Sequence, residues 1–468
     1  MNHEGHDLGH KCGIFAISDH PNASELAYYG LYSLQHRGQE SAGIAADING
    51  RIKTYVGMGL VGDVFQDEFF EHFNGARSAI GHTRYSTSGS SNVKNAQPIT
   101  VDTTRGQIAV AHNGNLTNGW ALREELEAQG SIFQTTSDSE VILHLLARPD
   151  YARLPDAWTP ALNRLEGAFC YVGMREGALI AVRDPHGYRP LCIGRLGDSW
   201  VFASESCAFD MIGATYEDNV KPGEIVTVRN GELERKFYAA NQSERKEAQC
   251  IFEHVYFARP DSTVFGHNVH LSRLAMGRAL ARECPADADL VVPVPDSGNS
   301  AAQGYAMESG IPLDQGFVRN HYVGRSFIQP SQNQRDIAVK IKLNANRSVV
   351  EGKRLVVVDD SVIRGTTSKS RVQRLREAGA KEIHLRISCP PTRHPCYFGI
   401  DFPDPKQLIA NNKTIEEIRD FLEIESLGYL SVQGMVDAMG DGDRYCTACF
   451  SGEYRSQRPA GFEKHAKD

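Results

Sequence analysis

The chain has 468 residues, of which 41% are hydrophobic and 23% charged, so its composition fits folded domains and excludes a disordered chain. A formal net charge of −8 argues against a general nucleic-acid binder, and no apolar run approaches the length of a membrane span. Because the first eleven residues lack the apolar core of a secretion signal, we expect a cytoplasmic protein whose ten cysteines are catalytic, metal-binding or buried.

The residues before about 240 predict a β-rich domain with antiparallel or mixed strands, because short apolar runs recur between turn residues. The clearest runs are 106–115, 168–174, 179–184, 200–206 and 224–231. Two predicted helices interrupt them. Ser24 would cap the first, with Ala27, Leu31 and Leu34 at helical spacing, and the second would start near Asp138.

The pattern changes after the polar stretch 239–249, which we interpret as a linker. Strands and helices then alternate, which predicts a parallel sheet with crossover helices. The predicted helices are 272–283, 300–309 and 368–380, and the predicted strands are 289–296, 354–360 and 383–391.

Cys12 precedes the apolar run Gly-Ile-Phe-Ala-Ile, and taken alone it would be a small buried core residue. Four polar stretches at the ends of later apolar runs, three of them with glycine, change this interpretation, because such loops often carry chemistry. They are HRGQESAGI (36–44), GHTRYST (81–87), HNGN (112–115) and TTSDSE (135–140). The set resembles the class II glutamine amidotransferases, whose glutaminase domain is an α+β N-terminal-nucleophile hydrolase with four αββα layers.

That resemblance implies that Cys12 becomes the N-terminal residue after an eleven-residue leader is removed. The free amine, with a pKa of about 7.7–8.0, would then serve as the base for the thiol that attacks glutamine. Asn113, through its side-chain amide, and Gly114, through its N–H, would stabilise the oxyanion. The same Asn-Gly pair is also an ordinary turn signal.

The resemblance also assigns the recognition of glutamine. Arg84 matches the arginine that binds the α-carboxylate, and Asp138 matches the acid that binds the α-ammonium group. Arg37, in the HRGQES stretch, is a further glutamine-binding candidate. The alternative for Asp138 is a helix N-cap without a substrate role.

The segment RLVVVDDSVIRGTTSK (354–369) resembles the phosphoribosylpyrophosphate (PRPP) loop of type I phosphoribosyltransferases. A buried strand delivers two acids, a short loop follows, and a helix begins, so loop N–H groups and hydroxyls can cradle a phosphate. Asp359 and Asp360 would bind the ribose and help to hold Mg²⁺. The alternative is a strand–turn–helix with capping hydroxyls. The other predicted PRPP-binding residues of the loop are Ser361, Arg364, Gly365, Thr366 and Thr367.

Two further segments match the same family. Ser297, in the strand-to-helix turn PVPDSGNSA, matches a residue near the metal. The basic, polar stretch 322–344 resembles a lid that closes over PRPP, where Arg325, Lys340 and Lys342 would neutralise phosphates. A solvated loop is the alternative for these basic residues.

Four cysteines form the last predicted site. Cys446 and Cys449 form a C-x-x-C pair, which alone fits zinc, redox chemistry or neither. Together with Cys250 and Cys396 they resemble the iron–sulfur members of one family, in which these positions ligate a [4Fe–4S] cluster. Zinc remains the chemical alternative. The remaining five cysteines are predicted to be buried, namely Cys170, Cys192, Cys207, Cys284 and Cys389.

Together these motifs resemble the glutamine PRPP amidotransferases over nearly the whole chain. The implied organisation is a leader (1–11), a glutaminase domain (12–240), a linker (241–260), an α/β phosphoribosyltransferase domain with a parallel sheet (261–453) and a polar tail (454–468). The implied reaction converts glutamine, PRPP and water into 5-phosphoribosylamine, glutamate and pyrophosphate, the first committed step of purine synthesis. A homotetramer with feedback by purine nucleotides is also implied.

Three alternatives were weighed against this interpretation. Another class II amidotransferase would lack the DDSVIRGTT loop, and a plain phosphoribosyltransferase would lack the first half. A non-enzymatic nucleotide sensor would have lost catalytic positions, which are all present here.

Overall fold

The computed structural model describes residues 12–85, 92–239, 245–320, 343–402, 405–440 and 442–456. Several predicted features lie outside these ranges: the leader, part of the linker, most of the polar tail, and the lid residues Arg325, Lys340 and Lys342. The strands are numbered β1 to β23 in chain order, and helices are named by their residues.

The first half contains a seven-stranded antiparallel sheet in the order β11-β9-β10-β1-β4-β2-β3. Its strands are β1 (Gly13–Ile17), β2 (Ser41–Ile48), β3 (Arg51–Met58), β4 (Ser78–Arg84), β9 (Cys192–Leu196), β10 (Ser199–Ala203) and β11 (Thr215–Asn219). The central strand β1 begins directly after Cys12, so this residue lies at one end of the central strand.

A six-stranded antiparallel sheet has the order β13-β12-β8-β7-β6-β5. Its strands are β5 (Ile99–Thr103), β6 (Gly106–Leu116), β7 (Gly167–Arg175), β8 (Ala178–Arg183), β12 (Glu224–Arg229) and β13 (Glu232–Phe237). All five strand runs predicted from the sequence therefore form strands, and the pairing is antiparallel.

The first half has four layers, and a hydrophobic core lies between each layer and the next. Along β1, Phe15 and Ile17 face a core shared with helices, whereas Ile14 and Ala16 face a second core between the two sheets. A third core covers the outer face of the six-stranded sheet. This is the predicted αββα arrangement. The helices are Ala23–Ser33, Val61–Val64, Asp67–His72, Gly119–Ala128, Val141–Ala147, Pro149–Ala152, Trp158–Leu162 and Cys207–Ile212.

The start of the first helix differs from the prediction. The helix begins at Ala23, so Ser24 lies inside it, and the Ser24 hydroxyl donates to the Phe73 carbonyl at 2.9 Å instead of capping. The second predicted helix starts with a 3₁₀ turn at Asp138–Glu140, but its N-cap is Ser137, whose side chain accepts from Ser139 N.

The second half is built on the predicted parallel sheet, in the order β17-β20-β21-β22. These strands are β17 (Leu290–Pro293), β20 (Arg354–Asp359), β21 (Glu382–Ile387) and β22 (Ser426–Tyr429). Because parallel strands end at one edge of a sheet, Ser297 comes close to the two acids at the end of β20, Asp359 and Asp360. The helices are Val269–Glu283, Asn299–Ser309, Arg347–Val350, Thr366–Glu377, Ile409–Asn412, Ile415–Leu422, Val432–Met439 and Ala448–Ser451.

Short two-stranded ribbons complete the second half. They are β14 (Gln249–Cys250) with β23 (Tyr445–Cys446), β15 (Thr263–Val264) with β16 (His267–Asn268), and β18 (Phe317–Arg319) with β19 (Leu343–Ala345). A π-helix, Glu253–Phe257, follows β14. Within the described ranges, none of the helices has the length and apolarity needed to traverse a bilayer.

Candidate active sites

A small pocket opens at the edge of the two sheets in the first half. It brings together four residues that the sequence analysis selected, Cys12, Arg84, Gly114 and Asp138. Its other lining residues are Tyr85, Gln97, His112, Ser137 and Ser139. Residues that are up to 127 positions apart thus form one concave site around a thiol.

The Cys12 thiol is buried and lies 3.7 Å from the Tyr85 carbonyl oxygen. Burial raises the pKa of this thiol above its ordinary value, and the nearby Arg84 opposes the shift only in part. A thiol in this setting stays protonated at neutral pH, so a nucleophilic role requires a base next to it.

Two charged side chains stand on the wall of the pocket. Arg84 ends β4 and donates from Nη1 to Glu40 Oε1 at 3.0 Å. Asp138 Oδ2 accepts from Leu116 N at 2.8 Å, which fixes the acid against the end of β6. A cation and an anion on one wall fit the two charged groups of an amino acid.

Asn113 and Gly114 lie on β6, but only Gly114 lines the pocket with Cys12. Gly114 has φ +156°, and a Cβ there would lie 2.0 Å from the Ala168 carbonyl oxygen, so only glycine fits. The Asn113 amide donates to Ser204 Oγ at 3.4 Å, and this hydroxyl accepts from Ile14 N at 3.0 Å. Asn113, one of the two predicted oxyanion donors, is therefore connected through Ser204 to the strand that follows Cys12.

A buried polar network that the sequence analysis missed supports the pocket. Gln97 accepts from His112 N at 2.8 Å and donates to Ser139 Oγ at 2.9 Å. That hydroxyl also lies 2.9 Å from His112 Nδ1, and burial lowers the pKa of His112. The network joins the strand of Gly114 to the turn of Asp138. His112 and Ser139 lie inside the quoted motifs, but Gln97 lies outside them.

Arg37 lies behind the nucleophile and does not line the pocket. Its Nε donates to the Cys12 carbonyl at 3.2 Å, and its other nitrogens bind Glu205 and Glu253. The two carboxylates raise the Arg37 pKa against the opposing effect of burial. Direct binding of glutamine by Arg37 stays a prediction, and these contacts favour a role in holding the backbone of Cys12.

The second site lies at the carboxyl edge of the parallel sheet. Asp360 Oδ1 accepts from Ser297 Oγ at 2.7 Å, and its Oδ2 accepts from Ser361 Oγ at 2.8 Å. Asp359 is paired with Arg371 Nη1 at 2.6 Å, an interaction that the sequence analysis missed. Burial raises the pKa of Asp359 well above its ordinary value, although Arg371 opposes it.

The loop after these acids has the form of an anion cradle. Gly365 has φ +80° and precedes the helix Thr366–Glu377, so Thr366 and Thr367 lie in its first turn. Arg364 is held by Gln407 at 3.0 Å. Two carboxylates and the Ser297 hydroxyl supply the oxygen ligands that Mg²⁺ prefers, so the donor set fits this ion.

The four selected cysteines approach one another where the two ends of the second half meet. Cys250 and Cys446 are register partners in the β14–β23 ribbon. Burial raises the pKa of Cys446 to about 12, with Cys250 and Cys396 contributing, and Cys449 is raised by burial and by the other three thiols. The four thiols are free. Among the described residues, however, no three His, Cys, Asp or Glu side chains form a ready metal centre.

The five cysteines predicted to be buried follow the prediction with one exception. Cys284 is half-buried, and the other four are buried.

Comparison with known proteins identifies the family of the chain. A family model described as "Glutamine amidotransferase domain" matches residues 82–211. The amidophosphoribosyltransferase of Methanothermobacter thermautotrophicus is 47% identical over 97% of this chain and 96% of its own length. That of Bacillus subtilis is 46% identical over 96% and 95%.

Solved structures give the same result. The glutamine PRPP amidotransferase of B. subtilis, complexed with ADP and GMP, has a TM-score of 0.89 at 46% identity, covering 95% of this chain and 97% of its own. A structure described as the allosteric regulatory enzyme of purine biosynthesis has a TM-score of 0.91 at 45% identity, covering 96% and 97%. With almost half of its residues identical over nearly the full length of these relatives, the chain belongs to the amidophosphoribosyltransferase family.

Proposed function

We propose that the protein is a glycosyltransferase of the pentosyltransferase type that converts glutamine, PRPP and water into 5-phosphoribosylamine, glutamate and pyrophosphate. One observation carries the proposal: the chain holds two sites. The first is a pocket with the Cys12 thiol and two charged side chains, and the second is a loop that follows two acids and leads into the helix Thr366–Glu377. Family membership supplies the substrates, and the two sites supply the chemistry each substrate needs.

The first half hydrolyses glutamine. The α-amine of Cys12, once free, takes the thiol proton, and the thiolate attacks the side-chain amide carbon. The oxyanion forms towards Asn113 and Gly114, and one such donor contributes about 3–4 kcal/mol to the barrier reduction. When the C–N bond breaks, the amine returns the proton and ammonia leaves. Water then cleaves the thioester, which releases glutamate and restores the thiol.

The charged groups of the pocket orient glutamine for this attack. Arg84 binds the α-carboxylate, and Asp138 binds the α-ammonium group. Both are fixed by partners on other elements, Glu40 for the arginine and Leu116 N for the acid. Fixed recognition groups lower the entropic cost of the attack.

The second half transfers ammonia to PRPP. The loop from Ser361 to Thr367 holds the 5′-phosphate, while Asp359 and Asp360 hold the ribose hydroxyls. Mg²⁺, held by oxygens at Ser297, Asp359 and Asp360, would neutralise the pyrophosphate. Ammonia attacks C1 as the C1–O bond to pyrophosphate breaks. Arg325 and Lys340, in the proposed lid, lie outside the described residues.

The working chain requires Cys12 as its first residue, so we propose that residues 1–11 are removed as a leader. The proposed boundaries are a glutaminase domain over 12–240, a linker over 241–260 and a phosphoribosyltransferase domain over 261–453. Intact-mass analysis tests the leader. An active chain that still carries Met1 or Asn2 would contradict the role of the amine.

We propose a [4Fe–4S] cluster on Cys250, Cys396, Cys446 and Cys449. The pairing of Cys250 with Cys446 in the β14–β23 ribbon supports it, together with the raised pKa values of the Cys446 and Cys449 thiols, which burial and the neighbouring thiols cause. Zinc is the alternative that four thiolates also accept. Iron and sulfide analysis of protein purified without oxygen distinguishes the two: about four irons and four sulfides per chain support the cluster, and zinc without sulfide contradicts it.

The remaining expectations concern location, regulation and assembly. We expect the protein in the cytoplasm. The solved relative that binds ADP and GMP supports feedback by purine nucleotides. We expect a homotetramer, which analytical ultracentrifugation tests. Titration of the activity with AMP, ADP and GMP tests the feedback.

The central experiment measures glutamate and pyrophosphate release with PRPP and Mg²⁺. Wild type should release both, and Cys12→Ser should lose the glutamine-dependent reaction but keep product formation from added ammonium. If wild type releases no glutamate under these conditions, the proposed function is wrong.

A further inference from the structure

Four fully buried charges lie where the two halves of the chain meet. Arg37, Arg189 and Glu205 come from the first half, and Glu253 comes from the segment after β14. Their side chains are 0–1% exposed. Buried charges are costly unless each has a partner, so these four groups constrain one another closely.

Glu253 links this cluster to the nucleophile. Its Oε1 and Oε2 accept from Arg37 Nη2 at 3.0 and 3.1 Å. The same arginine donates from Nε to the Cys12 carbonyl at 3.2 Å. One side chain therefore stands between a carboxylate of the second half and the backbone of the nucleophile.

A second ion pair of Glu253, with Arg189, connects it to the side of the pocket where the oxyanion is expected. Its Oε1 also accepts from Arg189 Nη1 at 3.2 Å, and Arg189 Nε donates to the Phe398 carbonyl at 2.9 Å. Tyr397 and Gly399, on either side of Phe398 in the chain, contact β6. Tyr397 O accepts from the Asn115 amide at 2.9 Å, and a Cβ at Gly399 would lie 3.1 Å from the Gly114 carbonyl carbon.

The position of Glu253 is itself set by the second half. It is the first residue of the π-helix Glu253–Phe257, a rare form that is often found at functional positions. Arg273, on the helix Val269–Glu283, donates to the carbonyls of His254 at 2.7 Å and Ala258 at 2.8 Å. The π-helix is thus fastened near both of its ends.

We propose that Glu253 is a positioning residue for glutamine hydrolysis. Through Arg37 it orients the Cys12 backbone, and through Arg189 it fixes the loop that packs on Gly114. The inference rests on the proposed function and adds to it, because the geometry of the glutaminase pocket then depends on a residue outside the glutaminase domain. Glutamine recognition by Arg84 and Asp138 does not depend on this carboxylate.

Glu253→Gln tests the proposal, because it keeps the shape of the side chain and removes its charge. We expect kcat for glutamine-dependent product formation to fall about 10- to 100-fold, the range for a misplaced reacting group. KM for glutamine and the ammonia-dependent rate should stay within twofold of wild type. Rates are divided by the fraction of chains that begin at Cys12, measured by intact mass, so that incomplete leader removal does not imitate the effect.

The matched control is Glu224→Gln. Glu224 is also buried and is bound by Arg235 at 2.7 and 2.9 Å, but this pair lies on β12 and β13 within the first half. The control should keep kcat within twofold. An equal loss in both variants, or an equal loss of the glutamine- and ammonia-dependent rates in Glu253→Gln, would show a general structural role and overturn the proposal.

A second variant decides the question if Glu253→Gln does not fold. Arg189→Lys keeps the charge but cannot reach both Glu253 and the Phe398 carbonyl, so the same selective loss of kcat is expected. Wild-type kcat in a folded variant of either kind overturns the inference. Failure of the proposed function is distinct, since wild type itself would then release no glutamate.

Discussion

At the scale of single residues, the turn that carries Asp138 is held by Glu140. This carboxylate accepts from Gln134 N at 2.8 Å, Thr135 N at 2.8 Å and Thr135 Oγ1 at 2.7 Å. Burial raises the pKa of Glu140, but these hydrogen bonds and His144 outweigh it and lower the value to about 2. The ionised form is therefore the form that stabilises the turn.

Glu140→Gln should lower the free energy of unfolding at pH 7 by about 1–2 kcal/mol, because it loses charge-assisted hydrogen bonds. A lowered folded-state pKa stabilises above the unfolded value, so the difference between wild type and variant should shrink as pH falls from about 4.5 to about 2. Urea unfolding across this range measures it. Glu127→Gln, on an exposed helix face, should change stability by less than about 0.5 kcal/mol. A difference between Glu140→Gln and wild type that is independent of pH would contradict this account.

Arg84→Lys should raise KM for glutamine about tenfold or more, because a lysine cannot make the planar, two-point contact with a carboxylate. The ammonia-dependent rate should not change. Steady-state kinetics with each nitrogen donor measure both, and Arg77→Lys, at an exposed position just before β4, is the control. An unchanged KM would remove Arg84 from glutamine binding.

The sequence alone was sufficient for the residues that lie inside short motifs. The structure brings Cys12, Arg84, Gly114 and Asp138 together in one pocket. Cys12 precedes β1, Arg84 ends β4, Gly114 lies near the end of β6, and Asp138 begins a 3₁₀ turn. The network behind them was not predictable. Arg37 and Glu253 are 216 residues apart, and nothing local to either residue indicates the other.

At the scale of elements, the turn after β17 in the proposed PRPP site depends on a close approach of backbone to backbone. A Cβ at Gly298 would lie 2.5 Å from the Val358 carbonyl oxygen. Glycine therefore lets the turn after β17 rest against β20, which brings Ser297 within hydrogen-bonding distance of Asp360.

Gly298→Ala should push this turn away from β20 and break the Ser297–Asp360 contact. We expect KM for PRPP to rise about tenfold or more, equally with glutamine and with ammonia, since a shift of about 1 Å has effects of this size. Gly62→Ala is the control, because a Cβ there would meet only the Tyr32 ring at 3.9 Å. A rise confined to the glutamine reaction would mean that the turn does not serve the PRPP site.

Strand and helix patterns predicted the elements well, and the errors lie at their ends. Ser24 was a reasonable cap by residue type, but tertiary contact with Phe73 uses its hydroxyl instead. The π-helix was not predictable, because its i→i+5 hydrogen bonds leave no distinct spacing of apolar residues. Its form follows from the packing around Arg273 and Glu253.

At the scale of the whole molecule, the four-cysteine site joins segments that are far apart in sequence. Cys250 lies in the proposed linker, and Cys446 lies near the C-terminal end of the described chain. The loop of Cys396 contacts the first half through Tyr397 and Phe398. A group bound by these thiols would therefore stabilise the contact between the halves.

Cys446→Ser should lose the bound metal and lower the midpoint of thermal unfolding by several degrees, because folding would no longer be coupled to metal binding. Metal content and calorimetry under nitrogen measure both. Cys284→Ser, at a half-buried thiol outside the site, should keep the metal. Full metal content in Cys446→Ser would contradict the ligand assignment.

The ion pair between Arg37 and Glu253 also bears on how such a chain can be recombined. If a glutaminase domain from another class II amidotransferase replaced residues 12–240, it would have to bring an arginine that meets Glu253. A donor without it would leave a buried carboxylate short of a partner, a fault that costs about 3–5 kcal/mol. Exchange of this domain in evolution or in the laboratory is therefore restricted to donors that supply an arginine at the position of Arg37.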